Sequence, residues 1–583
     1  MTSSAKNLSD VLYTSSFPKS KFLPSSGQWA ELFQIMRSNI PCSDLQIAHA
    51  HSLMADISNE LVRYDQALDR RGTFSETVVS DRAELESFLH ACQSVAKSLI
   101  RRLPNEILGR VFYFCHQERE FSFLPIREEA RIEELRQELW WASGGNLRIL
   151  SQVCSLWRGI VLDTPELWSH ITLDLRSWAD EWETREAPES LLQDDAMLQT
   201  ALARSKAVPL KVELNAPKCH PLMLQTLVRS SSRWRSATLY FDCRMIPHLA
   251  CVEGNLTSLE VLCLHVVTSE WDEDEDEALD EAALKQMIKF FSDAPRLQEL
   301  DYRGPISVLE NLPLKQLQQL VCNVEDGNDC LSLHRLMPEF TDLDLDVQLS
   351  LDTLAKSLPL NLPRVEASIS SLGISCVRHC DRGFQGVLRE VFEALTIPSL
   401  RHFGVAGEVT VWAIPVQWPH REGLALFERS KVAQNLRSLR FRDIIIREQE
   451  LLECLAALPM VDDLSITDYA VLPGSMSSHN LITNKLLRKL TPNSVDRANT
   501  LAPNLMNVEF KTLGDFRDDI LAAFIHGRVG HASRHLNLVP FNLSLVWMCR
   551  YMWKLGPKSQ KLADVLQREG KLCFSVRDAE PTE

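Results

Sequence analysis

Apolar residues in the first hundred positions alternate between spacings of three and four, which is the pattern of helices with one buried face. Ser43 with Gln46 fits a capping box that starts the first helix, and Asp81 with Glu84 marks the start of a second. The apolar positions are Ile47, Ala50, Met54, Ile57, Leu61, Tyr64 and Leu68, then Leu85, Phe88, Cys92, Val95 and Leu99. Two such helices with a short connector predict an antiparallel hairpin over residues 43–99. Coiled-coil pairing with a second chain is the alternative. The Ser-rich residues 1–42 are predicted to be loose.

Shorter helices follow between residues 100 and 172. In the stretch IRRLPNEILGRVFYFC (100–115), Pro104 suits a first helical turn, where its missing N–H would be unpaired anyway. Ile107, Leu108, Val111 and Phe112 then form an apolar stripe. RIEELRQELWW (131–141) predicts another helix, which ends at Gly144 and Gly145. A later helical face carries Ile149, Val153, Cys154, Trp157, Ile160 and Val161, and Thr164 with Pro165 starts a short helix bearing Leu167 and Trp168.

The remaining two-thirds of the chain repeats an apolar-x-x-apolar-x-apolar pattern. The copies are LEVLCL (259–264), LQELDY (297–302), LQQLVC (317–322), FTDLDL (340–345), LRHFGV (400–405), LRSLRF (436–441), VDDLSI (461–466) and LMNVEF (505–510), with weaker copies WRSATL (234–239) and LPRVEA (362–367). Several spacings fall in the 20–29-residue period of leucine-rich repeats, although the asparagine that normally follows the strand motif is absent. A non-repeating α/β domain is the alternative.

These patterns together predict a fold of class α + α/β. An N-terminal helical hairpin and the short helices of residues 100–172 precede a leucine-rich-repeat-like α/β solenoid over residues 205–520. Residues 521–583 contain ILAAFIHGRV and LSLVWMCRYMWKL, which predict a helical C-terminal cap that covers the last repeat, followed by a polar tail.

Composition narrows the classes of function. The formal net charge of −16 argues against binding to a phosphate backbone, so we expect no nucleic-acid partner. No run of about 20 apolar residues is present, and the N-terminus lacks the apolar core of a secretory signal. Fifteen cysteines without repeated spacing fit reduced thiols. We therefore expect a cytoplasmic and/or nuclear protein with no membrane partner.

Catalytic and metal-binding motifs are absent from the sequence. There is no nucleophile elbow, phosphate-binding loop or His-Glu-x-x-His pattern, so no catalytic residue is proposed and we expect a protein that is not an enzyme. Cys376, His379 and Cys380 lack a second ligand pair, and His531 with His535 lacks a third ligand. The acidic run WDEDEDEALDE (271–281) lacks the turn glycine of a calcium loop. No cofactor or metal is expected.

The order of the short helical motifs resembles an F-box, specifically the F-box-like proteins abundant in mushroom-forming fungi. The family pattern Leu-Pro-x-Glu-Ile-Leu, Val-Cys-x-x-Trp-Arg and Thr-Pro-x-Leu-Trp matches residues 103–108, 153–158 and 164–168. The resemblance implies a helical module that docks on the Skp-type adaptor, and through it on the cullin, of an SCF ubiquitin ligase. The implied contact residues are Leu103, Pro104, Ile107, Leu108, Val153, Trp157 and Arg158. The alternative is that these residues fill the core beneath the repeats.

One departure from the family pattern is an insertion over residues 113–146, where about 35 positions separate Phe112 from Leu147. The insertion can be a surface excursion, or it can obstruct the adaptor. The leading hypothesis remains the substrate-recognition subunit of an SCF-type ligase, whose repeats bind an unknown protein target. A leucine-rich-repeat scaffold that degrades nothing is the alternative.

Charged residues between the apolar strand positions predict where a target would bind. Asp342, Asp344 and Asp346 in one repeat are followed by arginines in later repeats and then by Asp462 and Asp463. Cross-strand charge pairing explains part of this pattern. Arginine is well suited to acidic or phosphorylated ligands. The candidate substrate-binding residues are Arg401, Arg437, Arg440 and Arg442, with Arg440 and Arg442 expected to prefer an acidic segment.

Overall fold

The computed structural model of the chain divides into two compact units. The first comprises Met1–Ser177 and Ala196–Leu210, and the second comprises Trp178–Asp195 and Lys211–Glu583. The residues that the structure describes are 19–38, 43–70, 76–97, 100, 103–117, 145–174, 189–216, 221–267, 281–377, 386–407, 416–468, 480–492, 500–512, 516–535, 540–548 and 555–578.

The first unit is mainly helical. Its helices are Ser26–Ser38, Asp44–Arg70, Glu76–Lys97, Asn105–Gln117, Gly145–Val153 and Ser155–Asp163, followed by the 3₁₀ turn Pro165–Trp168 and the strand His170–Asp174. The helix Glu189–Arg204 contributes its residues from Ala196 onward to this unit. The charged stretch 131–141, predicted to be helical, lies outside the described residues.

The helices Asp44–Arg70 and Glu76–Lys97 pack together along the face that the heptad spacing indicates. Met54, Ile57 and Tyr64 of the first helix share a core with Leu85 and Phe88 of the second. Near the connection, Arg82 Nε donates to Asp65 Oδ1 at 2.6 Å. The apolar seam is therefore buried within one chain.

A helix at Ser26–Ser38 differs from the loose segment expected over residues 1–42. Its Trp29 packs edge-on against Phe88, with ring centroids 5.1 Å apart. Just before it, the Ser20 N–H donates to the Tyr64 hydroxyl at 3.2 Å. Residues 1–42 are mostly polar but include a few large apolar side chains. These side chains pack the segment against the two long helices Asp44–Arg70 and Glu76–Lys97.

The second unit is built on a long sheet whose strand order follows chain order. From Trp234–Asp242 onward, each neighbouring pair of strands is parallel. The strands are Leu210–Ala216, Trp234–Asp242, Val261–Val267, Glu299–Arg303, Gln319–Val324, Thr341–Ser350, Ser368–Val377, His402–Gly407, Ser438–Arg442, Asp463–Thr467, Asn507–Thr512, Phe541–Trp547 and Leu572–Asp578. This is an α/β architecture consistent with a repeat-like fold.

Helices and 3₁₀ turns connect successive strands, as parallel strands require. The α-helices are Leu222–Val228, Glu281–Phe290, Gly327–Leu336, Leu351–Leu354, Gly386–Ala394, His420–Arg429, Glu448–Ala457, Asn484–Leu490, Asp518–His535 and Pro557–Arg568. The longer 3₁₀ segments are Cys243–Val252 and Ile306–Asn311. Alternate strand residues such as Leu262, Leu300 and Leu320 are buried, so one face of the sheet holds the core.

The eight stronger copies of the repeated pattern all coincide with strands of this sheet. The weaker copy LPRVEA does not, because Val365–Glu366 pairs instead with Leu395–Thr396 in a separate ladder. The sheet strand of that region is Ser368–Val377, and its ISSLGI sequence (369–374) carries the same pattern. A second small ladder joins Val416–Gln417 to Ile444–Ile445.

The predicted helical cap over residues 521–583 is wrong for part of its length. The helices Asp518–His535 and Pro557–Arg568 alternate with two further strands of the sheet, Phe541–Trp547 and Leu572–Asp578. In the first of these strands, every second side chain is buried. Such alternation, with large apolar residues at the buried positions, favours a strand.

Candidate functional site

The helix Asn105–Gln117 begins directly after Pro104. The Pro104 carbonyl accepts hydrogen bonds from the N–H groups of Ile107 and Leu108, both at 3.0 Å. This start places Leu108 and Phe112 inward, at 0% and 1% exposure. The opposite side of the same helix and its entry remain apolar and open to solvent: Leu103 is 38% exposed, Ile107 45%, Val111 38% and Phe114 63%.

Leu108 and Trp157, both predicted to contact an adaptor, belong to the core of this small module. Leu108 shares a buried cluster with Phe112, Leu147 and Ile160. The half-buried Trp157 packs against this cluster, with its ring centroid 4.7 Å from that of Phe112. Leu108 is therefore a supporting residue and not a contact. Leu108 follows Ile107 directly, and one residue step rotates an α-helix by about 100°, which is enough to bury Leu108 while Ile107 stays exposed.

Two further exposed apolar residues lie on the helix Gly145–Val153. Val153, which was predicted, is 54% exposed, and Ile149 is 64% exposed. The exposed Arg158 donates from Nε to the Ser151 carbonyl at 3.0 Å, which fixes it between the two short helices. The Cys154 thiol accepts from the Trp157 N–H at 3.4 Å and caps the second helix.

Val111, Phe114 and Ile149 are surface residues that the sequence interpretation did not select. Positions 103, 107, 111 and 114 follow one another at steps of three or four residues, the spacing of one helical face. This spacing could have revealed Val111 and Phe114. We call Leu103, Pro104, Ile107, Val111, Phe114, Ile149 and Val153 the apolar surface of the module. Large exposed apolar side chains are unfavourable in water, which makes this surface the candidate for contact with another protein.

The second candidate site is the polar face of the parallel sheet, opposite the core. The strand register aligns Asp344, Ser371, His402, Ser438 and Asp463 in one row across neighbouring strands. The next row contains Asp346, Gly373, Gly404, Arg440 and Ser465.

The four predicted arginines fall into two separate sets. Arg440 and Arg442 project from the polar face and are exposed. Arg440 Nη2 lies 3.2 Å from Asp463 Oδ2. Asp463 Oδ2 also accepts from the Ser438 hydroxyl at 2.6 Å.

Arg401 and Arg437 lie instead where their strands begin. The Arg401 carbonyl accepts from the Arg437 N–H at 2.7 Å, and Arg437 Nη1 donates to the Met460 carbonyl at 3.4 Å. Their main chains join adjacent repeats at the strand entries, apart from the polar face. The structure brings together only Arg440 and Arg442 on the polar face.

Two carboxylates, Asp346 on the polar face and Asp462 at a strand entry, titrate under opposing influences. Partial desolvation raises the pKa of Asp346, and the neighbouring Asp344 raises it further, while Arg440 lowers it. Desolvation likewise raises the pKa of Asp462 against the lowering effect of Arg437. The net direction in both cases is upward, because the nearby arginines do not fully compensate for the loss of water.

The candidate metal ligands of the sequence gain no support from the described part of the chain. Cys376 is buried in a strand, and burial raises the pKa of its thiol to about 12. His379, Cys380 and the acidic residues 271–280 lie outside the described residues. Within the described ranges, no cluster of three or more His, Cys, Asp or Glu side chains could hold a metal ion. No described helix is long and apolar enough to cross a membrane.

Comparison with known proteins matches the segment that contains the first candidate site. A family model described as F-box-like matches residues 100–174, the segment that carries the apolar surface and its supporting core. The chain thus contains an F-box-like domain followed by an α/β unit with a long parallel sheet. F-box domains in general bind Skp-type adaptors, and F-box proteins are typically non-catalytic.

No curated protein matches the chain. Among solved structures, a protein from Bacteroides fragilis is similar at 12% identity with a TM-score of 0.26, over 67% of this chain and 84% of that one. A likeness at this level carries no argument about fold or function.

Proposed function

We propose that this protein is the substrate-recognition subunit of an SCF-type ubiquitin ligase. The F-box-like domain would bind the Skp-type adaptor and through it a cullin. The parallel sheet, as a leucine-rich-repeat-like solenoid, would bind the protein to be ubiquitinated. The observation that carries the proposal is the apolar surface that lies within the segment matched by the F-box-like family.

The apolar surface supports adaptor binding on physical grounds. Six of its side chains are between 38% and 64% exposed, and all but Leu103, at the helix entry, lie on a helix whose other face is buried. A contact built this way loses little conformational entropy, because the helices are already formed. A few aliphatic and aromatic anchors of this kind typically dominate the affinity of an interface.

The second unit supports target binding by its architecture. Sequential parallel strands present one continuous polar face, and extended faces of this kind are the binding surfaces of repeat proteins. A ligase subunit of this class works in the cytoplasm or nucleus, and transfer of ubiquitin is performed by other subunits.

The test is co-purification of the tagged full-length chain with the Skp-type adaptor and a cullin. The variant Leu103→Ala/Pro104→Ser should lose both partners, because both side chains are exposed and Ser retains the carbonyl that starts the helix. Val565→Ala serves as the control, since Val565 is a 42% exposed residue of the second unit.

Three outcomes separate the alternatives. Recovery of adaptor and cullin together, with a short half-life of the chain itself, supports a ligase subunit. Recovery of the adaptor without a cullin, with a stable chain, supports a scaffold instead. Recovery of neither partner by the unaltered chain rejects the proposed function.

A further inference from the structure

A pair of carboxylates and a pair of arginines flank the middle of the sheet's polar face, with Asp346 and Arg440 in the same row across the strands. Asp344 and Asp346 lie on the strand Thr341–Ser350, and Arg440 and Arg442 lie on Ser438–Arg442. The register Asp346–Gly373–Gly404–Arg440 shows that two strands separate the pairs. Since strands lie about 4.8 Å apart, the main chains of Asp346 and Arg440 are roughly 14 Å apart.

The two strands between the charges carry only small side chains toward the middle of this face. The positions are Ser371, Gly373 and Ser375 on one strand and Gly404 and Ala406 on the other, with His402 at one end. The result is a floor of main chain bordered by longer charged side chains, which we call the dipolar groove.

Gly373 and Gly404 differ in whether the fold itself requires glycine at the position. A Cβ at Gly373 would lie 1.8 Å from Asp346 Oδ1, so this glycine lets the carboxylate lie across the neighbouring strand. A Cβ at Gly404 would meet the Arg440 Cβ at 3.5 Å and the Arg440 carbonyl oxygen at 3.8 Å, both ordinary van der Waals contacts. The fold therefore does not require glycine at 404. Glycine inside a strand weakens it and often marks a place where a ligand approaches the main chain closely.

The charges along the groove are incompletely neutralised within the chain. Asp344 accepts from the Ser370 hydroxyl at 2.8 Å, and among the described residues neither Asp344 nor Asp346 has a Lys or Arg within ion-pair distance. Arg440 forms an ion pair with Asp463, whose carboxylate also accepts from the Ser438 hydroxyl. Among the described residues, Arg442 has no carboxylate within ion-pair distance. The acidic side can therefore accept a cationic group, and the basic side can accept an anionic one.

We propose that the dipolar groove binds an extended segment of the target protein that carries a basic and an acidic side chain about four residues apart. The basic group would contact Asp344 and Asp346, and the acidic group would contact Arg440 and Arg442. The spacing follows from about 14 Å at roughly 3.3 Å per extended residue. This inference rests on the proposed function and replaces a purely acidic target by a dipolar one.

The test begins with a displayed library of random twelve-residue peptides selected on the full-length chain bound to its adaptor. Enriched peptides should carry a basic and an acidic residue about four positions apart. Their affinity should fall at least tenfold for Asp344→Asn/Asp346→Asn and for Arg440→Gln/Arg442→Gln. Replacing the peptide's basic residue by Gln should remove the effect of the Asp variant but leave that of the Arg variant.

A steric variant tests the floor independently of charge. Gly404→Val would fill the groove with a residue that suits a strand, and should abolish binding of the enriched peptides. Ser544→Val, on the same polar face but three strands beyond Ser438–Arg442, is the matched control and should bind them normally. Thermal unfolding and adaptor binding of both variants establish that the fold is retained.

Several results would overturn the dipolar groove. They are enrichment of peptides without the paired charges, purely acidic peptides that bind as tightly as dipolar ones, or unchanged affinity in the charge and Gly404 variants. Adaptor binding is measured in the same preparations, so failure of the groove and failure of the proposed function give different results.

Discussion

Ile107 and Leu108 are neighbours in sequence, yet the structure assigns them opposite roles, which gives a sharp experimental contrast. Leu108 is fully buried, whereas Ile107 is 45% exposed and Phe114, on the same outer face, is 63% exposed. Leu108→Ala would leave a cavity in the small core around Phe112 and Leu147, with an expected loss of about 2–5 kcal/mol in the free energy of unfolding. Ile107→Ala/Phe114→Ala should change that free energy by no more than about 1 kcal/mol.

Ile107→Ala/Phe114→Ala should weaken adaptor binding, because the apolar surface that these two side chains would bury on docking is lost. Burying a whole side chain of this size contributes about 1.5–3 kcal/mol, so the exposed fractions leave roughly 1 kcal/mol for Ile107 and about 1.5 kcal/mol for Phe114 to gain on docking. Together they amount to about 2.5 kcal/mol, or a rise of roughly 50-fold in Kd.

Isothermal titration of the purified full-length variants with the adaptor measures this rise, and urea unfolding measures the stability. Val565→Ala in the second unit provides the control for loss of an exposed apolar side chain. An Ile107/Phe114 variant that binds within about threefold of the unaltered chain would refute the assignment of this surface, as would a large loss of stability in that variant.

Three further predictions concern the second unit. Arg528 is 1% exposed and donates to the carbonyls of Leu501, Ala502 and Pro503, so Arg528→Met should lower the free energy of unfolding by about 2–4 kcal/mol in urea titrations, while Arg517→Met, an exposed control, should not. Burial raises the pKa of Asp329 to about 6, so its contribution to stability is fully present below its ordinary pKa of 3.8 and is lost as the pH rises through 6; relative to Asp329→Asn, the unaltered chain should lose on the order of 1 kcal/mol between pH 4 and pH 7, and a constant difference would contradict this. A Cβ at Gly407 would lie 2.3 Å from the Asp443 carbonyl oxygen, so Gly407→Ala should cost about 1–3 kcal/mol in the same assay, whereas Gly530→Ala, with open space around it, should cost little.

The sequence by itself determined the elements that rest on local patterns. The strand motif places two apolar residues two positions apart after a turn, and alternation along a strand sends both to the core regardless of the neighbouring repeats. The eight strong motifs therefore coincide with strands. The Leu-Pro start and the Trp-Arg and Thr-Pro pieces likewise sufficed to indicate the F-box-like domain at residues 100–174.

Where apolar residues fit both helical and strand spacing, the local sequence pattern could not decide between a helix and a strand. In Phe541–Trp547, the apolar positions fit both helical and strand spacings, and pairing with Asn507–Thr512 and Leu572–Asp578 decides for a strand. The choice of Ser368–Val377 over Val365–Glu366 as the sheet strand has the same origin, because hydrogen bonds to distant strands select the register.

The candidate sites depend most on tertiary structure. Ile107 and Leu108 are equally apolar, and the packing of Leu147 and Ile160 on one side of the helix decides which of them meets water. On the sheet, Asp346, Gly373, Gly404 and Arg440 are separated by about 30 residues at each step along the chain and become neighbours only through strand register. Charge and glycine positions can be read from a sequence, but their alignment in one row results from long-range pairing that no local pattern encodes.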